Sequence, residues 1–146
     1  MMRTISARNQ LIGKVSDIFE GSVNNEVIIT LDNGDEIVTV ITKQSCDTLH
    51  IGLEKRVMAI IKAPWVVLAD PHSGFAFSAR NQFHGVIEDV SRGAVNSTVR
   101  FKTPKGLVLT AVITNESAEE MALEAGQDIL GLVKASSIIV GTQLSQ

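Results

Sequence analysis

The sequence predicts an all-β protein built from two tandem five-stranded barrels, each with one short helix. The first observation behind this prediction is a repeat: the pentapeptide Ser-Ala-Arg-Asn-Gln at 6–10 recurs unchanged at 78–82. Shifting the chain by 72 residues aligns positions 6–64 without a gap, and 18 of those 59 positions are identical. Unrelated sequences of ordinary composition would share about four. Because solenoid units usually span only ~20–50 residues, the chain is interpreted as a duplicated small domain.

The second observation is that each copy contains strand and hairpin signals in the same order. In the first copy, a β-branched run at 27–31 leads through Asp-Asn-Gly at 32–34 into another run at 36–41, which is typical of a hairpin. The second copy repeats this order at 99–102, 104–106 and 107–113. Further β-branched and apolar segments predict the remaining strands at 13–19, 56–62, 65–68, 85–90, 129–134 and 137–140.

A short helix is expected after each hairpin. The second copy has Ser-Ala-Glu-Glu at 117–120, a capping-box pattern, and Gly126 would end the helix. The equivalent segment of the first copy is 45–51. One helix after the third of five strands is the outline of an OB-type barrel, with an SH3-like barrel as the alternative. The predicted domains are 4–70 and 76–142, joined by a linker at 71–75.

The composition predicts that the units associate. Hydrophobic residues make up 45% of the chain, and the mean hydropathy is +0.21. Domains of about 60–70 residues bury only about 60% of their unfolded surface. The surplus of Val, Ile and Leu therefore indicates apolar surface buried between domains or chains, and we expect a homo-oligomer.

Charge and aromatic content argue against several function classes. The net charge is −3, and neither half carries a basic excess. Tyr is absent and aromatic residues are 4%, whereas single-stranded nucleic-acid binders need stacking platforms and a basic groove. We therefore expect no nucleic-acid partner. The absence of an apolar leader and of an ~18-residue apolar run predicts a cytoplasmic protein without a membrane partner.

Catalysis is not expected either. His50, His72 and His84 are not shared between the copies, and they form no metal-ligand spacing. Cys46 is the only cysteine, so an intrachain disulfide and a cysteine-based zinc cluster are excluded. We expect no enzyme activity, no catalytic cofactor and no metal cation.

Two cations recur in both copies. Arg8 and Lys62 of the first copy align with Arg80 and Lys134 of the second, and no other Lys or Arg position is identical. Arginine offers a planar fork of donors and lysine a compact charge, which suits a small oxyanion held by charge-assisted hydrogen bonds. The alternative interpretation is a pair of structural surface cations with salt-bridge partners.

Two other clusters are shared. Thr-x-x-Ser at 42–45 and 114–117 is typical of a helix N-cap, a place where an anion is also favoured. Gly-x-Val-Asn at 21–24 and 93–96 is typical of a turn in which glycine supplies a positive φ. That interpretation explains the glycine and the asparagine but leaves the valine unexplained.

Taken together, Ser-Ala-Arg-Asn-Gln, Gly-x-Val-Asn, Ile-Thr-x-x-Ser and Lys-Ala-(Ser/Pro), in this order and twice over, resemble the Mop domain of the molbindins. Those proteins bind molybdate and tungstate in the cytoplasm for storage and homeostasis. The same module occurs as the ligand-sensing part of a molybdate-responsive transcription regulator and at the end of a molybdate transporter ATPase. The resemblance covers about 4–70 and 76–142, and the tandem arrangement is similar to a di-Mop molbindin.

The resemblance implies OB-fold units in a trimer, with oxyanions held between subunits. One class of site would use Ser6, Ala7, Arg8, Asn9, Thr42, Ser45, Lys62 and Ala63, and in the second copy Ser78, Ala79, Arg80, Asn81, Thr114, Ser117, Lys134, Ala135 and Ser136. A second class, near the threefold axis, would use Gly21, Ser22, Val23, Asn24, Gly93, Ala94, Val95 and Asn96. The alternative function is an anion-sensing module that acts on a transporter or a transcription regulator.

One position departs from the shared pattern. The second copy reads Lys134-Ala135-Ser136, whereas the first has Pro64 in place of the serine. Proline supplies neither a hydroxyl nor a backbone N–H. The two sites are therefore expected to differ, with the site of the first copy the weaker one.

Overall fold

The computed structural model describes residues 4–144, and each copy contributes five strands and one short helix. The strands are β1 Asn9–Glu20, β2 Asn24–Leu31, β3 Glu36–Thr42, β4 Arg56–Ile61, β5 Val67–Ala69, β6 Asn81–Arg92, β7 Asn96–Lys102, β8 Val108–Thr114, β9 Asp128–Val133 and β10 Ile139–Gly141. The helices are α1 Lys43–Thr48 and α2 Asn115–Glu120, and 3₁₀ turns span Ala63–Trp65 and Ala135–Ser137. The predicted all-β class, with one helix after the third strand of each copy, is confirmed.

The helices begin earlier than predicted. Thr114 is the N-cap of α2, and its hydroxyl accepts a hydrogen bond from the Ser117 N–H at 3.1 Å. The prediction of Ser117 as the cap was therefore wrong, and the Thr-x-x-Ser motif itself is the capping element. Thr42 caps α1 in the same way. Within residues 4–144, neither helix is long and apolar enough to cross a membrane.

The predicted hairpins are present in both copies. Gly34 lies at φ +101° and donates its N–H to Leu31 O at 2.9 Å, which closes the turn between β2 and β3. Gly106 does the same for β7 and β8 at φ +97°. A residue with a Cβ would be strained at this φ, which explains why both copies have glycine at this position.

The last strand of each copy lies in the sheet of the other copy. One sheet has the order β10-β4-β1-β2-β3, and the other has the order β5-β9-β6-β7-β8. Antiparallel pairing joins Ile139 to Ile60 and Val67 to Leu132. The predicted boundaries therefore describe the repeated stretch of sequence, whereas each hydrogen-bonded sheet is assembled from both copies.

The copies make further contacts next to the exchanged strands. The Thr39 hydroxyl on β3 is fully buried and donates to Ile138 O, just before β10, at 3.3 Å. The 3₁₀ turn of each copy packs on the third strand of the other copy. Buried side chains of both copies form one continuous hydrophobic core, so neither repeat has a separate interior.

The core compensates for size differences between the copies. In the second sheet, fully buried Phe101 fills the space above Gly131. The equivalent positions in the first sheet hold Ile29 and Ala59, which are also fully buried. A larger residue at one position is therefore matched by a smaller one at the other, as close packing requires.

We expect Gly131→Ala to lower the free energy of unfolding by about 1–3 kcal/mol, because the new Cβ would overlap the Phe101 ring. Adding Phe101→Ile restores the pair of the first copy and should recover part of this loss. Urea denaturation at fixed protein concentration measures both effects. Gly52→Ala is the control, since no atom lies within 4 Å of a Cβ there. Strictly additive losses in the double variant would contradict the proposed pairing.

Candidate anion-binding site

The two shared cations of each copy lie at the same end of one strand pair. Asn9, the first residue of β1, pairs with Ile61, the last residue of β4. Arg8 and Lys62 directly adjoin this pair, and both are exposed. In the second copy, Arg80 and Lys134 adjoin the pair Asn81–Val133 in the same way. The structure thus places the backbone of the recurring arginine beside that of the recurring lysine in each copy.

The asparagines next to these arginines connect the two copies. The side-chain amide of Asn81 donates to Val38 O at 2.8 Å and to Val133 O at 3.2 Å, and its oxygen accepts from Val38 N–H at 2.7 Å. Asn9 makes the equivalent three bonds to Thr110 and Ile61. Both side chains are 3% exposed. Their amide donors are therefore already used inside the chain, and any contact of these residues with an anion would involve the backbone.

The rest of the repeated pentapeptide is held by its glutamine. Gln10 Nε2 donates to Ile5 O at 3.1 Å and to Ala7 O at 2.9 Å, and Gln82 makes the equivalent bonds in the second copy. This fixes the segment before β1, leaving Ser6 exposed and Ala7 buried. The glutamine was part of the repeat but not of the predicted site, and its role is to position the segment before the arginine.

The two guanidinium groups meet different neighbours. Arg80 forms a bidentate ion pair with Glu26 on β2, with both N–O distances at 2.7 Å. Arg8 donates to the Thr98 hydroxyl on β7 at 3.0 Å, and no carboxylate of residues 4–144 forms an ion pair with it. Thr98 is the counterpart of Glu26 in the repeat. The copies therefore differ in charge beside the shared arginine.

The ion pair has a consistent electrostatic signature. Hydrogen bonds from Arg80 hold the pKa of Glu26 below its ordinary value of 4.5, although partial burial acts in the opposite direction. The same contact raises the pKa of Arg80. Because the folded-state pKa of Glu26 is depressed, the contribution of this pair to stability is present above pH 4.5 and is lost as the pH falls further. The side chains are 28% and 53% exposed, so that contribution is small.

Lys134 lines a cleft that several predicted site residues share. The cleft has a volume of about 280 Å³ and is lined by Ser78, Ala79, Lys134 and Ser137 together with Trp65, Val67, Phe77 and Leu132. Neither Lys62 nor Lys134 forms a salt bridge with any residue in the part of the chain that the structure describes. Trp65 and Val67 come from the first copy, so this cleft depends on the strand exchange.

The Lys-Ala-(Ser/Pro) motif of each copy continues into a 3₁₀ turn, at residues 63–65 in the first copy and 135–137 in the second. Ala63 and Ala135 are buried, whereas Pro64 and Ser136 are exposed on their 3₁₀ turns. The motif thus presents one exposed position after the lysine, occupied by proline in one copy and by serine in the other.

The Thr-x-x-Ser caps lie beside the Gly-x-Val-Asn loops. Asn24 pairs with Thr42 across β2 and β3, and Lys43 N–H donates to Val23 O at 2.9 Å. In the second copy, Asn96 pairs with Thr114. Within one chain, however, Arg8 reaches β7, whose partner strand ends at Thr114. The structure therefore differs from the grouping predicted from the sequence, because the arginine of each copy contacts the second strand of the other copy.

The loop glycines serve a different purpose from the one predicted. Neither Gly21 nor Gly93 is among the positive-φ residues, so that interpretation was wrong. Each glycine donates its N–H to the backbone carbonyl oxygen of the asparagine three residues later. A Cβ at Gly21 would lie only 2.5 Å from the backbone oxygen of Asn24, so a larger residue would clash there. Val23 and Val95 point outward and are 69% and 71% exposed, with Ser22 and Ala94 also exposed.

The other titratable residues do not converge on these positions. His72 and His84 line a separate cavity of about 700 Å³ near the linker. Among residues 4–144, no group of three or more His, Cys, Asp or Glu side chains is arranged to hold a metal ion. The candidate chemistry of the described chain is therefore concentrated at the two Arg–Lys pairs.

Comparison with known proteins assigns the family. The family model described as the TOBE domain matches residues 5–68 and again residues 78–140. The chain belongs to the TOBE-domain family. A solved structure described as the cytoplasmic molybdate-binding protein ModG, with molybdate bound, is 39% identical and has a TM-score of 0.90; the match covers 97% of this chain and 100% of that one. The resemblance to the tandem-Mop molbindins is confirmed.

Other relatives of this TOBE-domain protein are larger. The chain is 37% identical to the molybdenum transport protein ModE of Herbaspirillum seropedicae over 98% of its length, and 34% identical to the molybdenum-pterin-binding protein MopA of Rhodobacter capsulatus over 95%. It is 33% identical over 94% to ModE of Escherichia coli, which is described as a DNA-binding transcriptional dual regulator. The chain spans about half the length of these relatives, at 53%, 52% and 52%. The expectation of no nucleic-acid partner therefore does not extend to every relative.

We expect Asn81→Ala to lower the free energy of unfolding by about 2–4 kcal/mol, because it removes three hydrogen bonds and leaves backbone groups of Val38 unpaired. Asn24→Ala, at an exposed position, is the control and should change stability by less than about 0.5 kcal/mol. Denaturant titration at one protein concentration measures both. A variant of Asn81 with unchanged stability and lost anion binding would instead assign the amide to the ligand.

Proposed function

We propose that this TOBE-domain protein binds molybdate at sites built around the Arg8–Lys62 and Arg80–Lys134 pairs. The observation that supports this most strongly is the full-length likeness to a protein described as molybdate-binding, combined with two retained cations at the same place in each copy. The proposal extends to tungstate, since both are tetrahedral dianions of the same charge.

The available donors suit such a ligand. A tetrahedral oxyanion presents four acceptor oxygens, and each pair offers one guanidinium and one ammonium group for charge-assisted hydrogen bonds. Neutral donors from Ser78, Ser137 and the backbone before β6 lie around the cleft of Lys134. Two cations with mainly neutral donors give moderate affinity, which is suitable for storing an anion that must later be released.

The proposed assembly is a homotrimer with sites between subunits. Apolar side chains remain exposed near both kinds of predicted site: Trp65 and Val67 border the cleft, and Val23 and Val95 stand on the shared loops. Burying them against another subunit would explain why valine recurs in these loops and would enclose an anion that a single chain leaves open to water.

For the physiological role, we propose intracellular storage and homeostasis of the oxyanion in the cytoplasm. The second candidate is a sensing module whose anion state is communicated to a larger partner. The regulator relatives favour this alternative, because a stretch similar to nearly the whole chain forms only half of their length. A copurifying partner that is released by molybdate would support sensing, whereas binding without any partner would support storage.

Calorimetry and native mass spectrometry test the binding proposal together. We expect a trimer that takes up molybdate, and we expect Arg80→Ala and Lys134→Ala each to weaken one class of site about 10- to 100-fold, the scale of a lost hydrogen bond to a charged group. Arg56→Ala is the matched control, because Arg56 lies at the other end of β4 and pairs with Asp32.

The outcomes separate the parts of this proposal. A chain that binds no molybdate at millimolar concentration would contradict the function, and a monomer that binds normally would contradict only the assembly. Unchanged titrations in both variants would remove these cations from the site.

The exposed position after the shared lysine gives a separate prediction. If Ser136 contacts the anion through its hydroxyl or N–H, Ser136→Pro should weaken the Lys134 class severalfold, and Pro64→Ser should strengthen the Lys62 class. Each lost neutral hydrogen bond is worth about 0.5–1.5 kcal/mol. Calorimetric titration of the two variants against the wild type measures this. If neither affinity nor stoichiometry changes, the position only shapes the 3₁₀ turn.

A further inference from the structure

The two copies hold an arginine in the same way, but a different residue faces the guanidinium group in each copy. Asn81 fixes Arg80 over β2 and β3, because its amide bonds both polar groups of the Val38 backbone. Asn9 fixes Arg8 over β7 and β8 through Thr110 in the same way. The two arginines are thus held in equivalent positions, and differences between them come from what they face.

The residue facing Arg80 is itself an anion. Glu26 receives hydrogen bonds from both terminal nitrogens of Arg80 at 2.7 Å, which is the bidentate fork that a tetrahedral oxyanion would also use. Glu26 is the less exposed partner, at 28%, and its strand is paired on both sides, with Phe19 of β1 and Val40 of β3. It therefore cannot move away with its backbone, and only a change of its side chain would free the fork.

The residue facing Arg8 is neutral. Thr98 accepts one hydrogen bond at 3.0 Å from one terminal nitrogen, so the rest of the fork has no carboxylate opposite it within residues 4–144. Thr98 occupies the same strand position on β7 that Glu26 occupies on β2, with Val112 across the ladder from it as Val40 is across from Glu26.

We propose that Glu26 is an internal competitor for Arg80 that sets the affinity of the Arg80–Lys134 site below that of the Arg8–Lys62 site. A dianion arriving at Arg80 must either displace the Glu26 carboxylate or bind beside its negative charge, and both lower the affinity. This inference rests on the proposed function and deepens it: the protein holds one open site and one site that fills only at higher oxyanion concentration. The effect of Glu26 is opposite to the one expected of Pro64. Pro64 would weaken the Arg8–Lys62 site, whereas Glu26 weakens the Arg80–Lys134 site, and the two residues act at separate positions.

The exchange of the two facing residues tests this directly. Glu26→Thr places opposite Arg80 the residue type that faces Arg8, and Thr98→Glu does the reverse. Each substitution therefore introduces a residue that the other copy already carries on an equivalent strand. Glu26→Gln is a second variant that keeps the size of the side chain. Trp65 is the only tryptophan; it lines the cleft of Lys134, and its backbone N–H also donates to Lys62 O at 2.9 Å. Its fluorescence is therefore read in a Lys62→Ala background, where the Lys62 class is weakened, while calorimetry reports all sites.

We expect Glu26→Thr and Glu26→Gln to tighten the Trp65-detected dissociation constant for molybdate about tenfold, combining release of an exposed ion pair with removal of a like charge near the ligand. Thr98→Glu should weaken the other class about tenfold and leave the Trp65 signal unchanged. In an Arg80→Ala background, the gain from Glu26→Thr should be clearly smaller, because the competition for the guanidinium group is gone and only the repulsion by the Glu26 charge remains.

The results that overturn the inference are distinct from those that overturn the function. Molybdate binding with the same Trp65-detected constant with and without Glu26→Thr would contradict the competition alone. An equal gain in the Arg80→Ala background would also contradict it, by assigning Glu26 a general field effect. Absence of any molybdate signal in the wild type, Glu26→Thr and Thr98→Glu would contradict the proposed function and the inference with it.

Discussion

The side-chain amides of Asn9 and Asn81 hold the structure together at the point where its two copies meet. Each amide substitutes for a strand neighbour: it bonds the N–H and C=O of one residue on the third strand of the other copy, and it also bonds the fourth strand of its own copy. Both lie in a buried setting, where an unpaired polar group is costly. The asparagines therefore fix the relative position of the two sheets, and the residues on either side of them inherit that position.

The exchanged last strands make the same connection over a larger area. Because β5 and β10 each complete the sheet of the other copy, the hydrophobic core is continuous, and neither repeat can bury its apolar residues alone. This accommodates the small size of each unit, since a single core of about 70 residues is marginal. It also places Trp65 of the first copy against the cleft of the second. Stability and site geometry thus depend on one topological feature.

Duplication gives the protein two versions of one candidate site, which share geometry but differ in charge. The arginine, the lysine and the asparagine are kept in both copies, but the strand residue that faces the arginine is a carboxylate in one case and a hydroxyl in the other. In the proposed function, a change on β2 or β7 would tune the candidate site without altering the residues that build it. A relative described as a DNA-binding transcriptional regulator and a solved structure described as a molybdate-binding protein both match nearly the whole of this chain.

The sequence by itself determined the duplication, the strand order within each copy, the hairpins, the short helices and the selection of Arg8, Lys62, Arg80 and Lys134. These follow from local signals: turn residues, β-branched runs and identity between copies. Only the tertiary structure decided the strand exchange and the hydrogen bonds from the Asn9 and Asn81 side chains to the other copy. It also decided the contacts of Glu26 and Thr98 with the shared arginines. Each of these joins residues about 43 to 101 positions apart, and identity between copies gives no indication of which copy a residue contacts. Glu26 and Thr98 are not identical, so a search for shared residues passes over them, and only the packing of one sheet on the other shows that they face the shared arginines.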